Sequence, residues 1–207
     1  MKKIILLFCI LTFVFESYSQ DLDLIVGRNF TTYDYTNSQG EENPNLSGGS
    51  GTYYSITYSV PFDSKAEDFY YMLGLAVNQF NATGGDYASS YRWDTNYFGI
   101  RSGIKYIFTS PRSFIRAGVK TGFGLSKIIN GQQKINGTTF DLTNENEFKA
   151  ISVEPFLGVE VRYFATDRIG FGIGYVYSKS FGVANSDMEK LNFNNSRLEF
   201  GITVQVY

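Results

Sequence analysis

The chain of 207 residues contains no histidine and a single cysteine. Without histidine, the side chain most used as a general base near neutral pH is missing, and histidine-based hydrolysis or acyl transfer goes with it. Cys9 lies inside an amino-terminal apolar run, so the rest of the chain has neither a disulfide nor thiol chemistry. Proline is scarce, with four residues, which leaves long stretches free to run as unbroken strands. Basic excess is lacking too. Lys+Arg number 18 against 20 Asp+Glu, which excludes the clustered positive face of a nucleic-acid binder. Beyond residue 20, no run approaches the roughly 18 apolar residues of a spanning helix.

The amino terminus has the layout of a secretory signal. Lys2 and Lys3 precede the twelve apolar-dominated residues 4–15, and Ser17 and Ser19 occupy the positions three and one before a cut at Gln20. A lipoprotein signal ending at Cys9 would need a small residue where Phe8 stands. Residues 1–19 are therefore expected to be a cleaved signal and residues 20–207 one exported domain. Loss of Lys2, Lys3 and Glu16 leaves 16 Lys+Arg against 19 Asp+Glu, a net charge of −3.

What the chain does have is aromatic residues, 17% of the total, and 21 glycines. Both fall into a period of two. Eight runs alternate an apolar face with a face of glycine, small or polar residues: 22–35, 52–62, 69–80, 96–108, 114–128, 150–164, 169–181 and 197–207. In the third, Tyr71, Leu73, Leu75 and Val77 oppose Gly74, Ala76 and Asn78. Most of these runs exceed the roughly 9–11 residues that a tilted strand needs to cross a membrane. Gly170, Gly172 and Gly174 belong to the seventh. They share one strand face, whereas a dinucleotide-binding glycine motif sits in a turn that opens a helix. They are expected to thin the inner wall so that side chains from opposite strands fit.

The connections alternate as well. Those at 63–68, 109–113 and 165–168 are short, and those at 36–51, 81–95, 129–149 and 182–196 are long and polar. Eight antiparallel strands with short periplasmic turns and long external loops have this order. On this pattern, and on a last strand ending in Tyr207, residues 21–207 resemble the small eight-stranded outer-membrane barrels of the OmpA-barrel, OmpX and Opa-like kind. The signal ending "SYSQ" is similar to those of the Bacteroidota. The resemblance implies an all-β, eight-stranded, up-and-down transmembrane β-barrel in the cell outer membrane. Its last strand would be read by the barrel-insertion machinery, and its environment would be outer-membrane lipid and lipopolysaccharide.

With the apolar face toward lipid, the interior holds Arg101, Lys105, Arg116, Lys120, Glu154, Glu160, Arg162, Arg197 and Glu199. An eight-stranded barrel is just wide enough for side chains to fill, so these are expected to form an ion-paired plug. Six cations against three carboxylates leave the pairing incomplete. Arg28 falls on the apolar face of Leu24, Val26 and Phe30. Either a bulge at Gly27 reverses it, or it reaches the outer lipid interface; Lys179 raises the same question. The acids Glu41, Glu42, Asp86, Asp141, Glu145, Glu147, Asp187 and Glu189 read as solvated loop charge. No segment has the spacing of an EF-hand calcium loop, and no cofactor or metal is expected. The aromatics Tyr87, Tyr91, Trp93 and Phe140 are the candidate contact surface. Tyr91, Arg92 and Trp93 could stack on a sugar or enter lipopolysaccharide, or form a girdle at the outer leaflet.

Three functions follow as expectations. The first is a monomeric, non-enzymatic anchor presenting surface loops. The others are a narrow porin-like channel along the charged lumen and a soluble periplasmic lipocalin-like carrier.

Overall fold

Alternation of apolar with small or polar residues holds the chain extended, in strands β1 (Gln20–Thr36), β2 (Leu46–Asp63), β3 (Ala66–Gly85), β4 (Ser90–Ile107), β5 (Ile115–Ile135), β6 (Thr138–Asp141), β7 (Ile151–Phe164), β8 (Ile169–Val183) and β9 (Lys190–Val206). One helical turn, α1 (Asn146–Lys149), precedes β7. The structure, a computed structural model, describes residues 20–36, 39, 46–63, 66–85, 90–110, 113–183 and 190–206. The expected signal at 1–19, Tyr207, Glu41, Glu42, Asp86, Tyr87, Asp187, Glu189 and the side chain of Glu147 lie outside the described residues.

Eight of the strands close on themselves. Each pairs antiparallel with its sequence neighbour, β5 passes to β7, and β9 returns to β1 from Gln20↔Val206 to Thr36↔Lys190. The short β6 only extends the end of β5 as a hairpin. Closure removes the free edges that an open sheet would present to other chains.

The apolar face is outside. Leu73, Ile100, Ile173 and Ile202 expose 48%, 52%, 53% and 43% of their surface, whereas Lys105 and Arg197 expose none. A lipocalin-like soluble carrier requires the opposite arrangement. That expectation is corrected, because hydrocarbon is the surrounding that accepts this outer face.

The barrel strands run for 14 to 21 residues, so they continue well past any belt that roughly 9–11 residues would span. The long connections are accordingly shorter than the sequence pattern suggests. β3 and β4 stay paired to Gly85↔Ser90, and β4 and β5 to Tyr91↔Ile135. The reason is a reversal of polarity along single strands. On β4 the outer face passes from Ile100 and Phe98 to Asn96, Asp94 and Arg92, while the inner face passes from Lys105 and Arg101 to Tyr97 and Trp93. On β9 it passes outside from Ile202 and Phe200 to Ser196 and Asn194, and inside from Glu199 and Arg197 to Phe193 and Leu191. Period two persists throughout, with its phase inverted.

Arg28 points outward without a bulge. Its pairings to β2 and β9 run through Gly27 unbroken, and its guanidinium donates to the Ser50 hydroxyl. Lys127 on β5 and Lys179 on β8 also face outward, and each is followed by one more exposed apolar residue, Ile129 and Phe181, as Arg28 is by Phe30. These cations stand at the upper rim of the belt, where the depth-dependent cost of charge falls to about 0–1 kcal/mol. The glycines of β8 make room for the adjacent strand rather than an opposite one. A Cβ on Gly170 would lie 3.1–3.2 Å from three ring atoms of Phe164, and one on Gly172 would lie 3.2 Å from Cγ of Arg162.

Candidate functional site

The lower interior, toward the short turns, is a chain of ion pairs. Lys105 Nζ lies 3.0 Å from Asp21, and Arg162 grips Asp23 with both terminal nitrogens at 2.8 and 3.0 Å. Arg162 also reaches Glu160 at 2.6 Å, and Glu160 reaches Lys120 at 3.2 Å. Lys120 then meets Glu199 at 2.6 Å, and Glu199 accepts from Arg197 Nε at 2.8 Å. Glu154 completes the series between Arg197 at 3.7 Å and Arg101 at 3.8 Å. Signs alternate along the whole chain, because a buried charge without a partner would cost several kcal/mol.

Of the residues singled out from sequence, Arg101, Lys105, Lys120, Glu154, Glu160, Arg162, Arg197 and Glu199 meet in this chain. Arg116 stands apart at the short-turn end. Its guanidinium lies 3.8 Å over the Phe164 ring, and its Nε donates to the Ser113 carbonyl. Asp21 and Asp23 were missed. They supply the carboxylates that the expected set lacked, so five cations face five carboxylates among the described residues. The signal was present in "DLDL", where both aspartates occupy the inner phase of β1.

Aromatic faces fill in around the guanidinium groups. Arg197 lies 3.8 Å over the Tyr53 ring and Arg101 lies 4.0 Å over Phe156, while Arg101 donates to the Tyr53 hydroxyl at 2.7 Å. Gaps of about 30 and 20 Å³ remain at this level, each room for roughly one water.

Above it, the interior turns apolar. Phe193 is the hub, 4.8 Å from Tyr33 edge-on, 5.0 Å from Phe80 and 5.7 Å from Tyr97 between ring centroids. Tyr33 donates its hydroxyl hydrogen to the Phe80 carbonyl at 3.0 Å, which satisfies the polar end of a buried ring. Leu142 and Phe148, on either side of the start of α1, pack down onto this cluster, and the Leu142 amide donates to Gly131 of β5 at 3.0 Å. The hairpin between β5 and β7 is thereby folded over the barrel mouth.

Tyr91, Arg92 and Trp93 do not form one surface. Arg92 faces outward and pairs with Asp94 at 2.9 Å. Trp93 packs partly buried against the aromatic cluster, with the Tyr91 ring stacked on it at 6.1 Å. No more than a reversal in the phase of alternation marked these rings as interior in the sequence.

No family model matches the chain, and no curated protein matches it. Solved structures do. The outer-membrane protein OprG from Pseudomonas aeruginosa aligns over 92% of this chain and 97% of its own, with a TM-score of 0.59 and 11% identity. Neisserial surface protein A aligns over 88% of this chain and 97% of its own, with a TM-score of 0.48 and 13% identity. This chain is a transmembrane β-barrel. The likeness to OprG fixes the fold, which the apolar exterior and ion-paired interior already require.

Proposed function

We propose that this chain is an outer-membrane protein whose closed barrel anchors a raised rim on the cell surface, and that the rim, not the lumen, makes its contacts. One observation carries the reading. The interior is closed by an unbroken chain of ion pairs, while the strands continue past the apolar belt and end in a folded cap. A solute channel would require the belt-level interior to be open, and its gaps hold about one water each. Among the described residues no cluster of metal-binding side chains is found, and the chain's lack of histidine supports a non-enzymatic role.

The rest of the reading is consistent with this. Residues 1–19 direct export and are removed, the last strand with its terminal Tyr207 is read by the barrel-insertion machinery, and the barrel acts as a monomer. Outer-membrane lipid meets the belt, and lipopolysaccharide phosphate meets Arg28, Lys127 and Lys179 at its rim. The test has two arms. Folded protein in planar bilayers should be electrically silent, and steady conductance that changes in Glu160→Gln would overturn the anchor reading. Replacing residues 136–149 by a short glycine–serine turn should preserve heat-modifiable gel migration while removing attachment of the bacterium to its surface partners. Attachment that survives this replacement and the matching one at 37–45 would count against the rim.

A further inference from the structure

The cap over the barrel mouth does not seal completely. Between it and the upper wall lies a cavity of about 480 Å³, within the roughly 300–1,000 Å³ usual for small-ligand sites. Five aromatic residues line it: Tyr33, Tyr35, Trp93, Phe140 and Phe148. Its other lining side chains are aliphatic, apart from Gln133, Asp141 and Glu145. Among the described residues, no lysine or arginine lines it.

We propose that this cavity binds a small organic monocation, an ammonium group carrying an aromatic or short branched alkyl body. Ring faces attract a cation through their quadrupole, most strongly where water is displaced, and aromatic cages recognise quaternary ammonium groups on this basis. Two carboxylates at the wall set the sign of the ligand. Asp141 accepts hydrogen bonds from the Thr143 hydroxyl and from its amide at 2.8 Å, which hold the carboxyl below its usual pKa and fix it as an anion. The Tyr33 hydroxyl is already committed to the Phe80 carbonyl. A sugar could donate to Asp141, Glu145 and Gln133 but brings no charge to the ring faces, while an anion would meet the two carboxylates. Apolar bulk with one positive charge matches what the wall offers.

The protein carries its own reporter, because Trp93 is the chain's single tryptophan. Full-length folded protein in detergent micelles is titrated with benzyltrimethylammonium, benzyl alcohol and benzylsulfonate while Trp93 emission is followed, with calorimetry in parallel. The cation should give a saturable change, bind about tenfold or more tighter than the alcohol, and leave the sulfonate without effect. Asp141→Asn combined with Glu145→Gln should abolish the preference for the cation and spare the weak binding of the alcohol. Both side chains are exposed, so the variant should fold, and gel migration checks this; Asp141→Asn alone gives a second reading. The proposal fails if the cation gives no saturable response. It also fails if the alcohol binds as well, or if the double variant keeps wild-type cation affinity. Isolated protein is used throughout, so the outcome is independent of attachment and of conductance.

Discussion

The lower and upper halves of this barrel have opposite interiors under one continuous sheet. At belt level the outside is apolar and the core is a chain of paired charges; above it the outside is polar and the core is a cluster of stacked rings. The difference follows from the surroundings. Hydrocarbon outside the lower wall takes the apolar residues and leaves glycine and polar groups to the lumen, where charges must pair with one another. Once the wall rises into water, the hydrophobic effect again favours an apolar interior, as in any soluble domain. β4 and β9 cross this boundary without a break, so each obeys both rules in turn.

The strongest challenge to the contrast is Arg162→Met. It leaves Asp21, Asp23 and Glu160 short of a shared partner, and a loss of about 3–5 kcal/mol is expected in urea unfolding from phospholipid vesicles. An unchanged midpoint would mean that the lower core is wet. Phe193→Ala removes the hub of the upper core. A loss near 3 kcal/mol is expected, since the neighbouring cavity lets the rings settle partly into the space. If Phe193→Ala leaves stability intact, the cap is not a core. The outer faces can be compared in the same assay. Leu75→Arg in the belt should cost about 2–4 kcal/mol, whereas Arg28→Leu at its rim should shift stability by about 1 kcal/mol or less. Equal effects at the two sites would move the boundary between the halves.

Much of the lower half was legible in the order of residues. Alternation marked eight strands and their two faces, and the positions of Arg101, Glu160 and Arg162 on the inner phase followed from it. The upper half was less so. With its polarity reversed, "KLNFNNS" on β9 reads as a polar loop, though it belongs to a strand paired from Val206 down to Lys190. The cap was hidden for a different reason. Phe140, Leu142 and Phe148 are isolated apolar residues in a polar segment, and only the fold shows that they converge on Phe193 and Trp93.

Local period, then, settled from sequence alone that the chain is built of strands with one greasy and one glycine-rich side, because alternation is a property of adjacent residues. Tertiary structure decided which side meets the surroundings at each height and which charges meet across the lumen. Arg162 and Asp23 lie 139 positions apart in the chain, and only closure and register bring them within 2.8 Å. No pattern confined to neighbouring residues carries that information.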